Sequence, residues 1–160
     1  MTIQVGDRLP EATFMTMTKD GPQPITAEAI FKGVKAVLFA VPGAFTPTCS
    51  AKHLPGFKEH VADFRAKGVD KLVCISVNDV FVMGAWGKDQ GVGDDVLLIA
   101  DGNGEFTKAV GLELDGARFG MGLRSQRYAM LVDDGVVKEL FVEAGGEFRV
   151  SSADYMLEHI

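Results

Sequence analysis

The sequence predicts a mixed α/β sandwich formed by a single domain over residues 1–160, and three observations carry that expectation. Short, continuously apolar segments at Val34–Val41, Leu72–Val77 and Val96–Ala100 alternate with helical patterns, as in a sheet covered on both faces. Asp133-Asp134-Gly135 separates two further apolar runs, which marks an antiparallel hairpin near the end of the chain. One hundred and sixty residues, 47% hydrophobic and 24% charged, suit one core of ordinary size that needs no disulfide or structural metal.

Taken in order, Thr13–Thr18 is a short alternating segment, and the turn-rich Lys19–Pro24 that follows cannot be helical throughout. Thr26 is placed to cap a short helix over Ala27–Phe31. Val34–Val41 is apolar except for Lys35 and predicts a strand buried on both faces. From Cys49 to Lys67, Leu54, Phe57, Val61 and Phe64 fall three and four apart, which predicts one amphipathic helix ended by Gly68. Leu72–Val77 is the second strand, and Asp79 caps a helix over Val80–Lys88. Val96–Ala100 is the third strand, followed by a turn at Asp101–Gly104 and a brief helix at Glu105–Val110. Tyr128–Val132 and Val136–Val142 form the hairpin, and a last helix runs from its cap at Ser152 to the C-terminus. This order is compatible with a thioredoxin-like fold, a central mixed β-sheet flanked by helices. The pattern alone also permits a flavodoxin-like sheet.

Composition removes several function classes. Sixteen basic and 22 acidic residues give a net charge of −6, which argues against nucleic acid as a partner. The longest apolar run, Ala36–Pro42, is far too short for a membrane span. The N-terminus lacks a basic start and an apolar core, so no signal peptide is expected, and two cysteines do not make a secreted disulfide framework. The expectation is a cytoplasmic protein.

The most informative segment is Pro42-Gly43-Ala44-Phe45-Thr46-Pro47-Thr48-Cys49-Ser50. It joins a buried strand to a helix start, where open α/β sheets place their ligands. A free cysteine is most often a small buried hydrophobe. At a helix start, however, unpaired N–H groups and the macrodipole favour a thiolate. Thr46, three residues earlier, brings a hydroxyl to the sulfur or to a bound oxygen, and Pro47 suits the first helical turn. Pro42 and Gly43 stiffen the loop and let backbone approach a ligand. The residues therefore describe an activated thiol nucleophile.

Pro42-x-x-x-Thr46-x-x-Cys49 resembles the active-site signature of the peroxiredoxins. The fuller segment Pro42–Ser50, with Val77–Trp86 and Arg124–Gly135 downstream, resembles their type II, or peroxiredoxin-5-like, branch over nearly the whole chain. The resemblance implies a thioredoxin fold and a thiol peroxidase that needs no metal, haem or nucleotide cofactor. Cys49 would attack hydrogen peroxide or an alkyl hydroperoxide and become a sulfenic acid. Thr46 would bond the sulfur and the peroxide, and Pro42 would shield the thiolate. Arg127 matches the family's active-site arginine, whereas Arg124 is at most a supporting residue. Backbone N–H groups at Gly43 and Cys49 would stabilise charge on the peroxide oxygens. Phe45 and Phe119 would rim the mouth at a homodimer contact.

Cys74 lies inside an apolar strand, where a thiol is expected to be buried and inert. Some relatives carry a resolving cysteine near the C-terminus, but Glu143–Ile160 holds none, and Val150 and Ser151 occupy that neighbourhood. An outside thiol would then reduce the sulfenic acid, with glutathione and glutaredoxin first and thioredoxin second. A peroxide sensor using Cys49 as a switch is the other alternative. A thiol–disulfide oxidoreductase is disfavoured, because it usually needs Cys-x-x-Cys and the other cysteine is far away at position 74. His53, four residues after Cys49, is expected to be an exposed helix histidine. His60 and His159 show no ligand-like neighbours, and no metal site or nucleotide fingerprint is expected. Trp86 and Phe81 are taken as core or interface residues.

Overall fold

The computed structural model describes residues 1–160. Nine strands are present: β1 (Thr13–Thr18), β2 (Gly21–Thr26), β3 (Lys35–Ala40), β4 (Lys71–Ser76), β5 (Leu97–Ala100), β6 (Glu113–Asp115), β7 (Leu123–Ser125), β8 (Tyr128–Asp133) and β9 (Val136–Val142). Seven form the central sheet in the order β2-β1-β5-β4-β3-β8-β9, while β6 and β7 pair separately. The inner strands β3, β4 and β5 are parallel, and β8, β9, β1 and β2 extend the sheet antiparallel on either side. This is the thioredoxin-like mixed sheet. No helix is long and apolar enough to cross a membrane.

Six α-helices surround it: α1 (Ala27–Phe31), α2 (Leu54–Glu59), α3 (Val61–Ala66), α4 (Val80–Gln90), α5 (Glu105–Ala109) and α6 (Ala153–His159). The expected caps are in place. Thr26 accepts from the Ala29 N–H, Asp79 from Val82 and Ser152 from Tyr155, each satisfying a donor that its first turn leaves free. In the hairpin, Asp134 and Gly135 both have positive φ (48° and 79°), the type I′ geometry that matches strand twist.

Alternation along the inner strands explains why they read as continuously apolar. Val37, Phe39 and Val41 join Cys74, Trp86, Leu54 and Phe57 in a cluster on one face, whereas Ala36, Leu38 and Ala40 join Phe14, Ile30, Phe31 and Phe106 on the other. On β8, Ala129 and Leu131 face the first cluster, which also holds Cys49. The same parity brings Arg127, one residue before β8, to the cysteine's side of the sheet.

The structure departs from expectation in three places. Lys19–Pro24 is not simply a turn, because Gly21–Thr26 forms edge strand β2. Pro22 and Pro24, opposite Met17 and Met15, share one parity, so their missing N–H groups fall on the outer side where no ladder bond is needed. Strands β6 and β7, three residues each, were too short to leave a periodic signal; a 3-10 turn at Ala117–Phe119 lies between them. The expected single helix from Cys49 to Lys67 is three pieces: a π-helical turn at Cys49–His53, then α2, then α3 after a break at His60. Pro55 lacks an N–H and its ring crowds the carbonyl one turn back, so the turn before it widens and Leu54 N–H donates to Cys49 C=O.

Candidate active site

The loop between β3 and the π turn is tied down from several directions. Pro47 opens the helical segment, and the Ser50 N–H donates to the Thr46 carbonyl at 2.9 Å. Asn78 Oδ1 accepts from the Ala44 N–H at 3.0 Å and from the Ser76 hydroxyl at 2.6 Å, anchoring the loop to the end of β4. Phe45 adopts φ 64°, a left-handed conformation costly for a side chain of this size, at the loop tip. Gly43 is packed so closely that a Cβ there would lie 3.2 Å from Thr46 Cγ2 and 3.3 Å from both Arg124 Nη1 and Met121 Cε. Neither the Gly43 nor the Cys49 N–H donates to a backbone carbonyl, so both remain free for an oxygen ligand.

Cys49 is fully buried, and Arg127 Nη2 donates to its Sγ at 3.0 Å. Arg127, the arginine that the resemblance implies, thus makes a direct charge-assisted contact with the cysteine. The second guanidinium arm, Nη1, donates to His53 Nδ1 at 2.8 Å. An arginine can only donate, so His53 carries its proton on Nε2, which donates to the Ser151 carbonyl at 2.9 Å. The Phe148 ring lies 5.8 Å from the guanidinium carbon. Trp86 Nε1 donates to Ser50 Oγ at 3.0 Å and holds the π turn against α4.

His53 corrects the expectation of an exposed helix histidine. It is fully buried among Phe39, Phe57 and Phe148, because the face it shares with Cys49 is the face turned to the core. Burial, and then the charge of Arg127, lower its pKa from 6.5 to about 3, against a smaller upward pull from the Ser151 bond. Its spacing from Cys49 was a usable signal. Histidine polarity hid it.

The other sequence-predicted residues are placed as follows. The Thr46 hydroxyl donates to the Gly43 carbonyl at 2.7 Å and not to the sulfur. Pro42 is half-buried at the head of the loop. Arg124 reaches Met121 and Val77 carbonyls and flanks Gly43 without bonding the sulfur. Phe45 (51%) and Phe119 (76%) are exposed, as is Phe81 on α4, while Trp86 is buried. Cys74 is buried mid-strand between Phe39 of β3 and Leu98 of β5. Burial, and then the charge of Cys49, push its thiol pKa well up. Both cysteines are free thiols.

His60 lies apart from the cysteine. Its ring bridges Asp63 (2.8 Å) and Asp154 (3.1 Å), tying the break between α2 and α3 to the start of α6. The hydrogen bond to Asp63, helped by the surrounding carboxylates, raises its pKa. No cluster of three or more His, Cys, Asp or Glu side chains is arranged to hold a metal ion.

Residues 4–157 match the redoxin family model. The chain is 52% identical to peroxiredoxin-2E, chloroplastic, of Arabidopsis thaliana, over 98% of this chain and 69% of that protein. It is 50% identical to Arabidopsis peroxiredoxin-2B, over 98% and 97%. The solved structure of reduced Prx3 in complex with hydrogen peroxide, from Vibrio vulnificus, matches with a TM-score of 0.94 at 52% identity, covering 99% of both chains. A cysteine met by a guanidinium on this sheet, in a chain so closely matched from end to end, belongs to the peroxiredoxins of the type II branch, thiol peroxidases that work through a cysteine sulfenic acid, here without a paired C-terminal resolving cysteine.

Proposed function

We propose that this peroxiredoxin reduces hydrogen peroxide and alkyl hydroperoxides by a one-cysteine cycle, regenerated by a thiol from outside the chain. Cys49 thiolate attacks one peroxide oxygen; the S–O bond forms as the O–O bond breaks, and the departing oxygen takes a proton to leave as water or an alcohol. Arg127 faces the sulfur and meets the charge that develops on the oxygens, together with the free N–H groups of Gly43 and Cys49. The Thr46 proton is committed to the Gly43 carbonyl, so its oxygen presents lone pairs that accept from the peroxide O–H. Pro42 shields the thiolate from water.

The observation carrying the one-cysteine cycle is the position of Cys74. A neutral thiol paired on both sides within the sheet is a poor resolving nucleophile. An external thiol then displaces water from the sulfenic acid to give a mixed disulfide, and a second thiol releases Cys49. Glutathione with glutaredoxin and thioredoxin are the two donor classes. The test is peroxide consumption with each donor by the wild type, Cys49→Ser and Cys74→Ser. Turnover abolished only in Cys49→Ser supports the cycle, and the active arm identifies the donor. Loss in Cys74→Ser would make that thiol a resolving cysteine. Fast oxidation of Cys49 without turnover from any donor would favour the sensor.

The exposed Phe45 and Phe119 rings further support a homodimer at the mouth of the site. Sedimentation showing only monomer at micromolar concentration would remove that part of the proposal.

A further inference from the structure

Glu143, directly after β9, is a buried carboxylate with no part in the chemistry described above. Its partners are uncharged. Oε1 and Oε2 accept from the Arg149 N–H at 3.0 and 2.9 Å, and Oε2 also accepts from the N–H groups of Val150 (3.0 Å) and Ser151 (2.8 Å) and from the Ser151 hydroxyl (2.6 Å). Three successive backbone donors and a hydroxyl thus converge on one anion, which a neutral amide could not replace without turning an N–H toward an N–H.

Ser151 is where this grip reaches the active site. The same residue that Glu143 gathers turns its carbonyl to the His53 Nε2–H at 2.9 Å. His53 Nδ1 accepts from one arm of Arg127 and the other arm donates to the Cys49 sulfur. The Glu143 N–H donates to the Arg127 carbonyl at 2.9 Å, so one residue holds the ring of contacts through both its backbone and its side chain. We infer that Glu143 is a positioning residue for the peroxidatic centre: by fixing the Ser151 carbonyl it fixes the His53 ring, and through that ring the plane of the guanidinium that meets the sulfur. The orientation matters because a guanidinium is a rigid planar fork, and rotating one arm off its acceptor swings the other off the sulfur. The inference rests on the thiol peroxidase activity of Cys49.

The test is the single-turnover rate at which hydrogen peroxide oxidises Cys49, which needs no reductant, measured in the wild type, Glu143→Gln and the control Glu147→Gln. Glu143→Gln is expected to slow oxidation about tenfold, a part of the roughly 100-fold that a 1 Å misplacement can cost, whereas Glu147→Gln leaves the rate unchanged. A merely structural role is separated by a double-mutant cycle. In an Arg127→Lys background, with no planar fork left to aim, Glu143→Gln should cost less than about twofold more. Nitrogen NMR supplies a second readout: His53 is the Nε2–H tautomer in the wild type and loses that fixed state in Glu143→Gln. If Glu143→Gln does not fold, Ser151→Ala removes only the hydroxyl contact, and the same non-additivity with Arg127→Lys is expected. Equal losses in both backgrounds, or a wild-type rate in Glu143→Gln, would overturn the inference. A wild type inert to peroxide would instead overturn the peroxidase assignment beneath it.

Discussion

The buried, neutral His53 predicts a specific acid weakness of the fold. Its pKa is about 3 in the folded protein and 6.5 in an unfolded chain. Between those values the unfolded chain binds a proton that the folded chain refuses, so acid favours unfolding. The stabilisation is whole above pH 6.5 and is lost as the pH falls toward 3. At 1.36 kcal/mol per pH unit the full interval is worth about 5 kcal/mol, and about 3 kcal/mol of it is gone by pH 4.5. The comparison that isolates this is wild type against His53→Gln, whose carboxamide can accept from Arg127 and donate to Ser151 but does not titrate. Urea unfolding at pH 7.5 and 4.5, followed by the fluorescence of Trp86, the only tryptophan, gives the stabilities. His60 acts with opposite sign, because its raised pKa gives stability that is present in acid and lost as the pH rises through its folded value. It and the carboxylates are common to both proteins and cancel in the difference. Wild type is expected to lose about 3 kcal/mol more than His53→Gln over this interval. Equal losses would refute the argument that a neutral His53 is held beside the guanidinium.

Three further outcomes follow from the geometry. Arg127→Lys keeps the charge but cannot donate to Cys49 and His53 together; the rate of Cys49 oxidation should fall about 100-fold, measured by stopped flow, with the far-UV spectrum unchanged. Asn78→Ala removes the acceptor that ties Ala44 to β4 and should lower kcat/KM for peroxide about tenfold while unfolding stability drops by only about 1 kcal/mol. Phe57→Ala empties a buried site stacked between Phe39 (centroids 4.0 Å apart) and Phe64 (5.4 Å), and should cost about 3–5 kcal/mol in urea unfolding.

What the sequence disclosed follows from how its signals are made. Cys49, Thr46 and Pro47 were legible because a helix start has a local chemistry of its own, whereas Arg127 came only from the resemblance of its segment to the peroxiredoxins. His53 and Glu143 were not. A histidine or glutamate is counted as solvent-facing unless its partners are known; those of His53, Arg127 and Ser151, are distant in sequence, and those of Glu143 are backbone N–H groups six to eight residues on, which no residue type announces. The spacing of Leu54, Phe57, Val61 and Phe64 concealed the break at His60, since apolar periodicity survives it, and that spacing begins only after the π turn. Pro22 and Pro24 hid β2, because proline speaks against strands in general and only pairing shows which side of an edge it occupies.

The ring around Cys49 is closed by residues widely separated along the chain: the guanidinium is 78 positions on from the sulfur, and the carbonyl that orients His53 is 98 positions on from it. On a ribosome, at roughly 5–20 residues per second, the cysteine is made on the order of 5–20 s before Ser151. Arg127 is made 78 residues after the cysteine and Ser151 later still, so the thiol first lacks its guanidinium and then lacks the carbonyl that orients His53. Until both have been made, Cys49 sits on the chain without the partners that surround it in the folded protein.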